Sequence, residues 1–247
     1  MYLLLSGEGS GDIGVCYPAA ESCDCASFRE GPMVLMIDQL VEQSQGYEMS
    51  HLDVGRVTYV SKPYLAGYKS PAQKKSMSLK GKKKPAETRY YFENARALAC
   101  TAKAKSEEVN DLVIAVLFRD SDGTASAGRG DWEDKRSSMI NGFNAENFDL
   151  GVAMMPRPKS EAWLLCAVKE SPYQHCKSLE EESGNDRSLN SLKAQLEKAL
   201  NGDSSTERLN QLVRDQEIDV NQIDMPSFNI FRKDLERAVK IAFGRAS

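Results

Sequence analysis

The chain has no apolar run approaching the ~20 residues that a membrane-spanning helix needs, so no span is expected. No secretory leader is expected either, because LLLS near the start is too short for an apolar leader core and no basic segment precedes it. Histidine is scarce: His51 and His175 are the two, both in polar stretches, which argues against histidine-based hydrolysis. Cysteine is sparse too. Six residues in 247 do not make a dense disulfide framework. Cys100 and Cys166 fall in apolar helical patterns and read as buried thiols. Cys16, Cys23 and Cys25 lie close together, but CDC is not a structural zinc spacing. That usage predicts a reducing, cytoplasmic setting. There is no excess of positive charge either. The formal net charge is -4, so attraction to nucleic acid must come from a local patch.

What is present is an alternation of strand and helix signals. Residues 2–5 read as a short buried strand ended by Gly7, and residues 15–30 as irregular. A helix is expected from Gly31-Pro32 to Gly46, and a strand over 56–60. Residues 61–86 change character, with eight lysines, no acidic residue, and Pro63, Pro71, Pro85, Gly67 and Gly81 set against a long regular element. A helix follows from Glu87 to about Lys105. DLVIAVLF at 111–118 is the strongest strand signal, and its lack of alternation predicts a central parallel strand covered on both faces. A helix over 131–141, a strand over 150–155 and a helix over 160–168 complete the pattern.

The fold class expected is therefore α/β, a mostly parallel sheet with helices on both faces. Residues 169–187 read as a polar linker, and 188–247 as a helical C-terminal appendage with stripes at Leu189, Leu192, Leu196 and Leu200, at Leu209, Leu212 and Val213, and at Phe228 through Phe243. No internal repeat is evident.

Ligands of such sheets sit outside the carboxyl ends of the strands. Four acidic residues, Glu8, Asp120, Asp122 and Glu161, follow three predicted strands to that edge, and Asp12 lies on the same glycine-rich turn as Glu8. Gathered carboxylates repel one another, and a divalent cation relieves the repulsion. GEGSGD lacks both the spacing and the lysine of a phosphate-cradling loop, and it has Asp where a dinucleotide fingerprint needs its third glycine. Taken singly, DSDG at 120–123 also reads as a simple turn, and Glu161 as a helix-capping residue after Ser160.

As an ordered set these residues resemble a Toprim domain. Glu8 matches the glutamate after the first strand, and Asp120 and Asp122 match the DxD after a later one. Glu8-Gly9-Ser10-Gly11-Asp12 is similar to the EGxxD form of the overcoming-lysogenization-defect nucleases. PRPKSEAWLLC at 156–166 resembles a motif of small standalone Toprim-like proteins and brings in Glu161. The resemblance covers residues 2–168, with 61–86 as an insertion.

It implies a Mg²⁺- or Mn²⁺-dependent nuclease acting on RNA or DNA. The metal ligands would be Glu8, Asp12, Asp120, Asp122 and Glu161, and the catalytic roles would fall to Glu8, Asp120 and Asp122. It further implies an anti-phage effector working with an ATPase partner. Lys62, Lys69, Lys74, Lys75, Lys80, Lys82, Lys83 and Lys84, with Arg157 and Lys159 beside the site, are the candidate phosphate contacts. Tyr64, Tyr68 and Tyr90 are candidates for stacking on unpaired bases, whereas Trp163 reads as a packed helix residue. Two alternatives stand beside the nuclease: a non-catalytic module binding nucleic acid or a protein partner, and another phosphoryl-transfer enzyme. The C-terminal apolar stripes also admit a homo-oligomer.

Overall fold

The computed structural model describes residues 1–68, 86–121, 132–188 and 190–246. Its centre is a five-stranded sheet in the order β3-β5-β1-β6-β7. β1 (Tyr2–Ser6) runs parallel to β5 (Val57–Val60) on one side and to β6 (Val113–Phe118) on the other, and β7 (Gly151–Met154) runs parallel to β6. All six residues of β6 are buried, as its unbroken apolar run requires of a strand covered on both faces. The α/β class read from the sequence is the one observed, with the parallel strands flanked by helices.

The stretch 15–30 is not irregular. It holds β2 (Gly14–Cys16), β3 (Ser22–Asp24) and β4 (Phe28–Glu30). β2 and β4 form a small antiparallel ribbon, and β3 adds antiparallel to β5 as the edge of the main sheet. Strands of three residues are too short to show a period, and so the sequence hides them. A disulfide between Cys16 and Cys23 holds this segment together.

α1 (Pro32–Gln45) starts with proline in its first turn and stops at Gly46, whose φ of 78° is left-handed. α2 (Lys62–Gly67) is a short helix capped by Ser61, whose hydroxyl accepts from the Tyr64 N–H. α3 (Ala86–Val109) packs on α4 (Trp132–Ala145) and against β6 and β1. It runs past the expected end near Lys105, and the chain then turns at Asn110, whose φ is 48°. The lysines from 69 to 84 lie outside the described residues, as does Asp122.

α5 (Ser160–Val168) is buried almost all round, which explains why its sequence is apolar without a clean stripe. Its Cys166 is not a thiol as expected but is bonded to Cys176, at a Cα–Cα distance of 5.2 Å that suits a disulfide. Cys100, the other expected buried thiol, is a thiol outside both disulfides and only half-buried.

The polar stretch 169–187 contains a 3-10 turn, Cys176–Glu181. Its Glu180 is buried and accepts from both the backbone N–H and the hydroxyl of Ser227. α6 (Leu192–Ala199), α7 (Thr206–Arg214) and α8 (Pro226–Ala246) follow, with Leu189 outside the described residues. α8 lies along α1 and β7, and the C-terminal helices share one hydrophobic core with the sheet. Trp163 of α5 is the clearest join. It is fully buried against Phe228 and Phe231 of α8 and donates from Nε1 to Ser227 Oγ at 2.8 Å, so it packs as the sequence predicts.

Candidate functional site

β1 connects through α1 to β5 on one side, and the chain then crosses back through α3 to β6 on the other. The strand order therefore reverses between β1 and β6. Such a switch point opens a crevice at the carboxyl edge of a parallel sheet. Glu8 follows the end of β1 there, Asp120 follows the end of β6, Lys62 follows the end of β5, and α5 begins there after β7.

The glycine-rich turn is shaped to present Asp12. Gly9 has φ of 85°, and a Cβ at that position would lie 2.6 Å from the Asp12 carboxylate. Gly14, with φ of 112°, lets the chain pass against the backbone of Arg29, where a Cβ would fall 2.1 Å from the carbonyl oxygen. The backbone of Asp12 and Ile13 is fastened to the start of α1, where the N–H groups of Met33 and Gly31 donate to their carbonyls.

Three of the expected site residues meet at Ser160. Its hydroxyl donates to Asp12 Oδ1 and lies 3.4 Å from Glu161 Oε2. Its backbone N–H donates to Asp120 Oδ1 at 3.1 Å. The first helical residue of α5 thus ties together carboxylates that follow β1, β6 and β7. Lys159, not Ser160, occupies the N-cap and makes no side-chain cap bond. Asp120 supplies an acceptor to that helix end from across the crevice, a role the sequence reading does not assign to it. Burial pushes the Asp12 carboxyl from 3.8 up to about 6. The Ser160 hydrogen bond opposes the rise, Glu161 adds to it, Lys159 partly offsets it, and Glu8 adds again.

Glu8 stands at the same rim with a different partner. Lys62 Nζ donates to its Oε2 at 2.8 Å, and this bond holds the Lys62 ammonium above its usual range. Of the two basic residues expected beside the site, Arg157 is exposed and Lys159 pairs with Asp186 at 2.8 Å.

Beneath the rim lies a polar layer that the sequence reading misses. Arg119 is fully buried. It donates to the Phe118 carbonyl, to Asn94 Oδ1 and to the Tyr90 hydroxyl. Tyr91 donates to the Asp120 carbonyl at 3.3 Å, and Lys135, also buried, donates to the Ser121 carbonyl at 2.7 Å. Ser121 in turn donates to the Pro158 carbonyl, joining the β6 and β7 loops. The visible signal was a lone arginine between an apolar strand and an acidic turn, since a cation placed there has to find buried acceptors.

His51 is remote from this edge. It is buried near the amino-terminal end of the sheet, within the influence of the chain terminus, Arg56 and Asp111, and burial lowers its pKa to about 4.

The rim gathers carboxylate oxygens, the donor type a hard divalent cation takes, together with the Ser160 hydroxyl and the Lys62 ammonium, and the raised Asp12 reflects burial first and the neighbouring carboxylates second. Among the described residues, no three acidic, histidine or cysteine side chains stand close enough together to hold a metal ion as they lie. Nor, among those residues, is any helix long and apolar enough to cross a membrane. No family model matches the chain, and no curated protein and no solved structure matches it.

Proposed function

We propose that the chain is a metal-dependent nuclease whose Mg²⁺ or Mn²⁺ is held by Glu8, Asp12, Asp120 and Glu161, with Asp122 joining from outside the described residues. One observation carries the reading: carboxylates that follow β1, β6 and β7 converge on Ser160 at the switch point of a parallel sheet. A bound divalent ion would lower the pKa of a coordinated water and neutralise charge on a phosphodiester. The chain's own part is to orient the acceptors. Ser160 fixes Asp12 and Asp120, while the Arg119 and Lys135 layer holds the backbone of the β6 turn. Lys62 supplies a cation at the rim for a phosphate oxygen, and in leaving Glu8 for that contact it would free Glu8 to act as a base or ligand.

The Lys62–Glu8 pair is also the observation that favours the second reading, a non-catalytic module that binds nucleic acid or a protein, because it neutralises one of the carboxylates. Other phosphoryl-transfer chemistry would use the same oxygens, and an ATPase partner and an anti-phage role rest on the resemblance alone. A cytoplasmic location sits poorly with two disulfides, which persist in oxidising compartments.

A cleavage screen over tRNA, single-stranded DNA and duplex DNA tests the assignment. Cleavage is expected with Mg²⁺ or Mn²⁺, to be lost in EDTA, and to be abolished by Asp120→Asn in a protein that unfolds at the same denaturant midpoint. Cleavage that survives EDTA or that substitution overturns it.

A further inference from the structure

Beside the acidic rim, α2 and α3 leave a cleft of about 320 Å³ lined by Leu65, Tyr68, Tyr90, Asn94 and Arg96, with Glu93 at its edge. That volume is at the low end of ligand pockets, enough for one flat ring system and too little for a docked helix. Two tyrosines contribute to its walls. Tyr90 is held rigidly: its hydroxyl accepts from Arg119 Nε at 3.2 Å, and its ring meets Tyr91 edge-on with centroids 5.3 Å apart. Tyr68 closes the end of α2, leaning on Tyr64 with centroids 6.5 Å apart.

The polar groups of the lining are also fixed. Arg96 is held by Glu146 and Glu93, and Asn94 by Arg119 and the Tyr90 carbonyl. Glu93 keeps about half of its side chain in solvent, so it has acceptor capacity facing out.

One side chain joins this cleft to the rim. The Lys62 ammonium lies 5.1 Å from the Tyr90 ring centroid and 2.8 Å from Glu8 Oε2. A group seated in this cleft and carrying an anion one short linker away would bring that anion to Lys62, next to Glu8. A nucleotide has that shape, with a flat base, a sugar and a phosphate. The half-buried Tyr68 ring can stack on any base face, and the half-exposed Glu93 carboxylate can accept from a base amino group.

We infer that the α2–α3 cleft is a base-binding subsite that takes one unstacked nucleobase of a single strand and sets its phosphate on Lys62 at the acidic rim. The inference rests on the nuclease reading for the fate of that phosphate, but not for the binding itself. A protein ligand is disfavoured by the cleft's size. RNA and DNA share the chemistry and are separated by the arms of the test.

The test is equilibrium binding to the full chain in EDTA, where metal-dependent cleavage is silent. The probes are the ribo and deoxy forms of adenosine 5′-monophosphate and of a short single-stranded oligoadenylate. Binding of either or both sugar series is expected, and the preferred sugar assigns the source. Tyr68→Ala should weaken binding about tenfold or more, and Tyr68→Trp should restore it. Lys62→Gln should flatten the dependence of log affinity on log salt by about 0.7 for the oligonucleotide. No binding by the wild-type protein, or equal binding by Tyr68→Ala, overturns the subsite. Titrating the same wild-type protein with Mn²⁺ alone reads the acidic rim independently, so failure of the cleft and failure of the metal site are told apart.

Discussion

Asp12 gives a stability effect whose sign is opposite to ordinary intuition about a buried carboxylate held by hydrogen bonding. Its carboxyl titrates near 3.8 in an unfolded chain and at about 6 in the fold, chiefly because it is buried. An acid with a raised folded pKa is protonated more readily in the folded state. Its penalty is therefore absent below about pH 4, grows as pH rises between 4 and 6, and is fully present at pH 7. The gap between those values corresponds to about 3 kcal/mol of stability missing at neutral pH.

Asp12→Asn mimics the protonated acid. Its amide oxygen can still accept from Ser160, and it no longer faces Glu161 and Glu8 as a like charge. In EDTA the variant should be more stable than the wild type by about 3 kcal/mol at pH 7, or roughly 6–12 °C in melting temperature for a chain of this size. The advantage should shrink to nothing near pH 4. Taking the difference between the two proteins matters, because His51, with its lowered pKa of about 4, loses stability in the other direction as pH falls, and it does so in both. Urea unfolding of the pair from pH 4 to 8 measures the effect. A variant equal to or less stable than the wild type at pH 7, or a difference that does not change with pH, refutes the reasoning.

Two further outcomes test the frame around the site. Trp163→Ala empties a fully buried position between α5 and α8 and should cost about 3–5 kcal/mol in urea unfolding; a loss under about 1 kcal/mol would show that the C-terminal helices do not share the core. Reduction with dithiothreitol should cost roughly 2–3 kcal/mol for the loop closed by Cys166 and Cys176, whose sequence separation is 10. Six reactive thiols in the unfolded but unreduced chain would show instead that neither disulfide forms.

The sequence shows the sheet because β6 is an unbroken apolar run and because α1 begins at proline and ends at glycine, all local signals. It shows Glu8, Asp12, Asp120 and Glu161 because residues that follow parallel strands share an edge by topology alone. What it hides is set by pairing across distance. The strands β2, β3 and β4 are too short for periodicity. Cys166 reads as a thiol because its partner, Cys176, lies in a stretch that reads as a polar linker. Ser160 looks like a cap and proves to be the residue on which the carboxylates converge, and nothing local marks Lys62 as the partner of Glu8. Asp122 and the lysines from 69 to 84 lie outside the described residues.

The central claim, that the rim takes a divalent cation, is tested most directly by calorimetric titration of the metal-free protein with Mn²⁺. Saturable binding is expected, weakened at least tenfold by Asp12→Asn and by Asp120→Asn, since even the loss of an outer-shell partner costs about that much. Absence of Mn²⁺ binding, or equal binding by the wild type and both variants, would contradict it.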